Sequence, residues 1–308
     1  MGYSRKKARA KGIFLFLALG TVFTTSAVTL GMKIPDKVAK LNEIKQTVAQ
    51  VEASKEEQAK VLEDLGVQIE TLNTQVETLK ADLDQAKKEN PDLAAAMATT
   101  ETKYAYLTFD DGPSDNTIKI LDFLKANHIK ATFFVIGKEN MDAIYKRIVD
   151  EGHTLAVHTN THDYKSIYQT VDTFMQDINT LAERLEKVTG VKPTIMRFPG
   201  GSNNTVSHRY GGKELMDKII KSVNEAGYTY FDWNVDSLDA AASRQDKNVI
   251  INSVLNGATG KKEAIVLMHD AAAKTTTVDA LPQIVEGLRK KGFVFEKITD
   301  ETSTVQFK

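Results

Sequence analysis

The sequence has no cysteine, one tryptophan and only six prolines among its 308 residues. Without cysteine, neither a disulfide bond nor a thiolate metal ligand is possible. The sequence also has no excess of either charge, since 40 basic residues stand against 41 acidic ones and the formal net charge is -1. A near-neutral balance gives no electrostatic basis for binding nucleic acid. We therefore expect no nucleic acid partner.

Charge is missing locally from residues 12–32, which read GIFLFLALGTVFTTSAVTLGM. A transmembrane helix needs about 20 such residues. Basic residues crowd the segment just before this run, and positive flanks stay on the cytoplasmic side of a membrane. Residues 1–33 are therefore predicted to be a cytoplasmic tail and a single-pass anchor, the alternative being a signal peptide cleaved near residues 25–27. Either interpretation places the rest of the chain outside a bacterial cell membrane, anchored in the first case and secreted in the second.

Residues 41–86 carry apolar side chains at alternating steps of three and four. The a positions hold Leu41, Val48, Leu62, Ile69, Val76 and Leu83, and the d positions hold Ile44, Val51, Leu65, Leu72, Leu79 and Ala86. Only Lys55 and Gln58 interrupt this seam. β-Branched residues at a with leucine at d favour a parallel dimer, so we predict a homodimeric coiled-coil stalk over residues 34–90. The alternative is a long amphipathic helix that packs on the following domain.

After a short linker at residues 91–103, residues 104–308 alternate between β-rich and helical segments. The strand candidates are YAYLTF, ATFFVI, TLAVH, TIMRF, TYFDWNV, AIVLMH and FVFEKI. The helix candidates between them are TIKILDFLKANH, VDTFMQDINTLAERLEKVTG, KELMDKIIKSVNEAG and VDALPQIVEGLRKKG. This alternation predicts an α/β domain with a parallel sheet, either a closed barrel or an open doubly wound sheet. In both folds the active site lies at the C-terminal ends of the strands.

Ionisable residues follow five of the predicted strands. They are Asp110 and Asp111, His158 and His162, Arg197, Asp236 and Asp239, and His269 and Asp270. Two histidines and one carboxylate form a common ligand set for a divalent metal, which His158, His162 and one of the paired aspartates satisfy. The other aspartate could then accept a proton from water, and His269 could protonate a leaving group. Asp163 and Asp270 directly follow His162 and His269, and we interpret both aspartates as residues that cap or bond locally.

The segments TFDDGPS, HTNTH, RFPGG, DSLD and LMH, in this order, resemble the five motifs of the polysaccharide deacetylases, also called NodB-homology or family 4 carbohydrate esterases. The resemblance covers residues 104–298. It implies a distorted (β/α) barrel and hydrolytic removal of acetyl groups from a sugar polymer with a divalent metal, usually Zn²⁺, with Co²⁺ or another cation possible. It also implies roles for single residues: Asp110 as base, Asp111, His158 and His162 as metal ligands, Arg197 as a brace for the base, Asp239 as the residue that tunes His269, His269 as acid, Leu267 against the acetyl methyl group, and the N–H of Gly200 at the oxyanion. Pro199 and Trp233 are further substrate-binding candidates.

The chain departs from the family pattern at Gly200, where tyrosine is frequent, and at Ala240, where tryptophan is frequent. We expect the substrate to be N-acetylglucosamine or N-acetylmuramic acid in peptidoglycan, since an anchored enzyme works near its own membrane. Chitooligosaccharide, acetyl-xylan and exopolysaccharide are the alternative substrates. A non-catalytic scaffold that binds the cell wall through its coiled coil is the alternative function.

Overall fold

The computed structural model describes residues 34–90 and 102–308, without the side chains of residues 34–37 and 87. The chain divides into two compact units, Met1–Ala96 and Met97–Lys308. The predicted membrane segment lies outside the described residues, as does most of the predicted linker. Within the two described ranges, no helix combines the length and the apolar composition that a membrane crossing requires.

Helix α1 (Ile34–Glu89) accounts for the described part of the first unit and is 56 residues long. It ends where the sequence predicts, just before Asn90 and Pro91, because a proline disfavours helix in the residue that precedes it. Its apolar seam is open to solvent in the single chain: Leu62 is 69% exposed and Leu72 is 58% exposed. Most helical stability in proteins comes from packing of an apolar face, so this face favours a partner. Pairing with a second copy stays a prediction.

Residues 102–308, the described part of the second unit, contain eight strands in one sheet. In chain order they are β1 (Lys103–Asp110), β2 (Thr132–Ile136), β3 (Thr154–Thr159), β4 (Ile195–Met196), β5 (Thr229–Tyr230), β6 (Val235–Asp236), β7 (Glu263–His269) and β8 (Phe293–Glu296). The helices are α2 (Asp115–Ala126), α3 (Asp142–Asp150), α4 (Tyr164–Ile167), α5 (Val171–Thr189), α6 (His208–Gly211), α7 (Leu215–Glu225), α8 (Lys247–Gly257) and α9 (Thr275–Lys290), with a 3₁₀ turn at Asp239–Ala241. The sequence predicts neither α3 nor α8.

Seven strands pair in the order β5-β4-β3-β2-β1-β7-β6, and β8 pairs with the first half of β1. Every strand pair is parallel, as predicted. Among the described residues no ladder joins β5 to β6, so the sheet curls into a half-barrel and does not close. The predicted single strand TYFDWNV is wrong, because residues 231–234 separate two short strands on opposite edges of the sheet.

The sheet has a distinct core on each face. The outer core, which packs under the helices, includes Leu107 and Phe109, and the inner core includes Tyr106. Successive strand residues point to opposite faces, so Tyr106, Thr108 and Asp110 share the inner face of β1. The other members of the inner core are Phe134, Ala156, Ile195, Phe231, Ile265 and Ile298. The inner face therefore changes from apolar to ionisable toward the C-terminal ends of the strands.

Candidate active site

Asp110 is the last residue of β1 and is only 2% exposed. Its Oδ1 accepts a hydrogen bond of 2.9 Å from Nη1 of Arg197, and its Oδ2 lies 3.8 Å from Nε2 of His158. Burial raises the pKa of Asp110 above its ordinary value, against the opposing charge of Arg197. A carboxylate with a raised pKa and one oxygen outside the ion pair is suited to accept a proton.

Arg197 follows β4 and its guanidinium is fully buried. Nη1 also donates to Thr108 Oγ1 at 2.7 Å, Nε donates to the Phe231 carbonyl at 2.9 Å, and Nη2 donates to the Asp232 carbonyl at 3.0 Å. The guanidinium carbon lies 4.1 Å from the centre of the Phe134 ring. Arg197 is thus fixed by neighbours on β1, on β2 and in the segment that follows β5, and it holds the carboxylate of the candidate base in one orientation.

Asp111, His158 and His162 come together as the sequence predicts, with ligand atoms that all lie within 4.8 Å of one another. Oδ1 of Asp111 lies 3.1 Å from Nε2 of His162 and 3.5 Å from Nε2 of His158. This oxygen is buried, and no donor in the described part of the chain bonds to it. Such an orphaned carboxylate oxygen, facing two imidazole nitrogens, fits a bound cation.

The hydrogen bonding of His158 prepares it for metal binding. Its Nδ1 lies 2.8 Å from the carbonyl oxygen of Arg197, which can only accept, so Nδ1 carries the proton and Nε2 presents its lone pair. Burial lowers the pKa of His158 to about 3, so the ring is neutral at physiological pH. A metal ligand must be in this deprotonated form.

The backbone around the triad is held in an uncommon conformation. Asp111 has φ 71° and His162 has φ 53°, both in the left-handed region that side-chain-bearing residues seldom adopt. Asp177 on α5 secures the loop between the two histidines, since its carboxylate accepts the N–H of Asn160 at 2.5 Å and the N–H and hydroxyl of Thr161 at 3.2 and 2.8 Å. The position of His162 therefore depends on a helix that lies later in the chain.

His269 is the last residue of β7 and forms an ion pair with Asp239. Its Nδ1 bonds to Oδ1 of Asp239 at 2.7 Å, and Oδ2 of Asp239 accepts the His269 N–H and the Thr277 hydroxyl, both at 2.8 Å. Burial by itself would lower the pKa of His269, but the hydrogen bond and charge of Asp239 outweigh it and raise the pKa to about 9. His269 is therefore protonated near neutral pH and has an Nε2 proton to donate.

Residues 198–201 form a tight turn beside Arg197. The N–H of Gly201 donates to the Phe198 carbonyl at 2.9 Å, and Gly200 has φ 78°, which is the third-position geometry of a type II turn with proline second. The Pro199 carbonyl accepts the Tyr168 hydroxyl at 2.8 Å. Since the C=O and N–H of one trans peptide point in opposite directions, the Gly200 N–H points away from Tyr168. It has no acceptor in residues 34–90 or 102–308, and Gly200 is exposed.

Leu267 and Trp233, the remaining candidate side chains, contact different parts of the site. Leu267 lies two residues before His269 on the same face of β7 and is 6% exposed. Trp233 packs against the inner core, 5.8 Å from the Arg197 guanidinium carbon, and stands edge-on to Phe307 at 5.0 Å. Trp233 thus supports the arginine, whereas Leu267 lies beside the candidate acid.

Asp270 has a different role from the local one predicted for it. It is fully buried, its N–H donates to the Asp110 carbonyl at 3.0 Å, and its Oδ2 accepts the Thr117 hydroxyl at 2.5 Å. Its carboxylate fills the space beside Gly112, where a Cβ would come within 2.2 Å of it. Burial raises the pKa of Asp270 to about 7. The prediction that Asp270 bonds locally is wrong, because pairing of β7 with β1 brings Asp270 under the loop that carries the paired aspartates. The same prediction is confirmed for Asp163, which caps α4.

Comparison with known proteins agrees with this arrangement. A family model described as polysaccharide deacetylase matches residues 97–231, a span that contains the triad, Asp110 and Arg197. The peptidoglycan-N-acetylglucosamine deacetylase of Bacillus cereus is 34% identical over 214 residues, which cover 66% of this chain and 71% of that protein.

Two solved structures share the fold. The catalytic domain of peptidoglycan N-acetylglucosamine deacetylase from Eubacterium rectale superposes with a TM-score of 0.64 at 32% identity, covering 68% of this chain and 98% of that one. The polysaccharide deacetylase Bc1974 from Bacillus cereus gives a TM-score of 0.59 at 33% identity, covering 67% of this chain and 97% of that one. Both fold and sequence are therefore shared over about two thirds of the chain.

Proposed function

The chain belongs to the polysaccharide deacetylase family, and from this membership we propose that it removes the N-acetyl group of N-acetylglucosamine in peptidoglycan. The enzyme is a deacetylating hydrolase, and the names of the Bacillus cereus and Eubacterium rectale relatives support peptidoglycan as the polymer. Chitooligosaccharide, acetyl-xylan and exopolysaccharide are the alternative polymers. One observation carries the proposal. Two ion pairs, Asp110 with Arg197 and Asp239 with His269, lie at the same C-terminal edge of the sheet as the candidate metal triad. A scaffold protein has no use for such a set.

We propose that Asp111, His158 and His162 hold a divalent cation, Zn²⁺ in the first place, with Co²⁺ as a substitute. The fit rests on the orphaned buried oxygen of Asp111 and on the neutral, correctly oriented ring of His158. Two nitrogens and one carboxylate oxygen form a ligand set of catalytic zinc sites, which keep one position open. When bound, such a cation lowers the pKa of water and polarises a carbonyl group.

Hydrolysis of the amide requires one base and one acid. Asp110 removes a proton from water as the water oxygen bonds to the acetyl carbon, and its raised pKa favours that transfer at neutral pH. The free N–H of Gly200 donates to the carbonyl oxygen as it becomes negative. His269 then gives its Nε2 proton to the nitrogen as the C–N bond breaks. The products are acetate and a free amine on the sugar. We assign to Leu267, two residues before His269 on the same face of β7, the contact with the acetyl methyl group.

We also propose that the enzyme acts outside the cytoplasmic membrane, held by residues 12–32 and raised on a dimeric stalk. The basic residues before the apolar run and the heptad seam of residues 41–86 support this placement. At about 1.5 Å per residue, a 56-residue helix extends roughly 80 Å.

The test is release of acetate from purified peptidoglycan by the full-length protein with zinc or cobalt, beside Asp110→Asn. We expect the wild type to release acetate and the variant, which keeps its size but cannot accept the proton, to be at least about 100-fold slower. Failure of the wild type on peptidoglycan, with activity on xylan or chitooligosaccharide, would overturn the choice of polymer. Failure on every polymer with stoichiometric zinc bound would overturn the catalytic function.

A further inference from the structure

The turn at Gly200 exposes a donor but provides no side chain. Its free N–H points away from the buried Tyr168, and the position is exposed. A substrate carbonyl that accepts a hydrogen bond from this N–H finds no second donor on residue 200. A second donor to the same oxygen has to come from another element. The structure brings one such element, helix α4, directly against the turn.

Tyr164, the first residue of α4, lies directly against the place where a side chain at position 200 would begin. Its hydroxyl oxygen lies 3.0 Å, and its Cε1 3.4 Å, from the position that a Cβ on Gly200 would occupy. On its other side the Tyr164 ring stands edge-on to the His162 ring, with centroids 5.5 Å apart. The phenol therefore lies between a candidate metal ligand and the candidate oxyanion donor.

Packing holds this ring in place while its hydroxyl stays available. The ring of Tyr168 packs against it at 5.7 Å, and Asp163 caps the short helix that carries it. No hydrogen bond to the Tyr164 hydroxyl occurs within the described ranges, and the residue is partly exposed. By contrast, the hydroxyl of Tyr168 is buried and committed to the Pro199 carbonyl. Of these two neighbouring phenols, which pack edge to face, only Tyr164 has a proton to offer a substrate.

We propose that the Tyr164 hydroxyl is a second hydrogen-bond donor to the acetyl oxygen, acting beside the Gly200 N–H while the sugar amide is hydrolysed. This inference rests on the proposed deacetylase function. A tyrosine keeps its proton at neutral pH, so it donates a hydrogen bond and transfers no proton in the step. A donor aimed at charge that develops in the transition state raises kcat, whereas a uniform contact to the sugar lowers KM.

The test compares Tyr164→Phe with Tyr228→Phe in the full-length protein, using acetate release from peptidoglycan. The control removes the same oxygen from a phenol on the outer side of the sheet, whose one hydrogen-bond partner among residues 34–90 and 102–308 is Asn179 Oδ1, at 3.2 Å. We expect Tyr164→Phe to lower kcat about 10- to 100-fold with KM changed less than about twofold, and Tyr228→Phe to match the wild type. Zinc stoichiometry and the urea midpoint of Tyr164→Phe should equal those of the wild type.

Each other outcome has a defined meaning. An unchanged kcat in Tyr164→Phe would overturn the assignment, and so would a rise in KM alone, which would place the hydroxyl against the sugar and not the reacting oxygen. Loss of bound zinc would also overturn it, since the ring would then act through His162. An inactive wild type is a separate result, because it would refute the proposed function before Tyr164 is tested.

A double-mutant cycle with Gly200→Ala supplies a second measurement. The added methyl group would press on the Tyr164 hydroxyl at 3.0 Å, so its effect on kcat should be smaller in the Tyr164→Phe background than in the wild type. Equal effects in both backgrounds would show that the two residues act independently, and would overturn the shared role.

Discussion

Asp239→Asn should move the alkaline limit of catalysis to lower pH, because Asp239 is what keeps His269 protonated. In the wild type the hydrogen bond and charge of Asp239 hold the pKa of His269 at about 9 despite burial. Asparagine removes the charge, and burial then lowers the pKa to the ordinary 6.5 or below. An acid that must carry a proton loses activity as pH rises through its pKa, so the descending limb of kcat/KM should shift downward.

The size of this effect follows from the two pKa values. At pH 8 a histidine of pKa about 9 is about 90% protonated, whereas one of pKa about 6.5 is about 3% protonated, which predicts a loss of about 30-fold. At pH 6 both forms are mostly protonated and the loss should be small. A cation on Asp111 cancels part of the negative charge that His269 senses, so both proteins must carry the same metal and the shift between them is the quantity to compare.

Stability should follow the same titration. Because the folded pKa of His269 is raised, the pair stabilises the fold fully below the unfolded pKa of 6.5 and loses that contribution as pH rises through about 9. A shift of this size corresponds to about 3 kcal/mol. Asp239→Asn should therefore lower the free energy of unfolding more at pH 6 than at pH 9.5.

The assay is kcat/KM for acetate release between pH 5 and pH 10, on wild type, Asp239→Asn and Thr277→Val. Thr277 donates to the same carboxylate at 2.8 Å, so its variant removes one hydrogen bond but keeps the charge, and its limb should stay close to that of the wild type. An alkaline limb that stays in place in Asp239→Asn would refute the reasoning, since either His269 would not be the acid or Asp239 would not set its pKa.

Three further predictions concern the metal loop, the buried ion pair and the stalk. Asp177→Ala should weaken zinc binding about 10-fold in a chelator competition, because it frees the loop between the two histidine ligands; unchanged affinity would mean that the loop holds itself. Arg197→Met should lower the urea-derived free energy of unfolding by about 3–5 kcal/mol at pH 7, since it leaves Asp110 buried without its partner, and a loss below about 1 kcal/mol would contradict this. Leu72→Asp, on the heptad seam, should turn a dimer into a monomer in light scattering, whereas Val67→Asp, equally exposed but off the seam, should not; a monomeric wild type would exclude the coiled-coil dimer.

Most of the sheet could be predicted because its strands are short apolar runs with sharp ends. The split between β5 and β6 could not, since TYFDWNV has the composition of one strand. At the break, the Arg197 guanidinium donates hydrogen bonds to the carbonyls of Phe231 and Asp232. The Asp232 carboxylate in turn accepts the Ser202 hydroxyl and the Phe307 N–H. These partners lie far away in sequence, and local propensity carries no information about them.

The site, like the sheet, could be predicted only in part. Its ligands, base and acid stand at strand ends, where polar residues after apolar runs are visible in the sequence. The side chains that hold them are not marked by any motif: Asp177 lies mid-helix on α5, and Asp270 looks like a cap until β7 is paired with β1. The left-handed backbone at Asp111 and His162 is likewise not marked by any motif, since residues with side chains seldom adopt it.

The two departures from the family pattern fall outside this supporting network. Gly200 is exposed on a turn closed by its own backbone, and Ala240 is exposed in a 3₁₀ turn whose flanking carbonyls, those of Asp239 and Ala242, both accept Lys274 Nζ at 2.8 Å. Neither side chain is needed to place the base or the acid, which are fixed by buried partners. The changes therefore alter the lining that a sugar meets while the proton-transfer groups keep their geometry. It follows that these two departures should change how tightly the sugar polymer is held, and should not abolish hydrolysis.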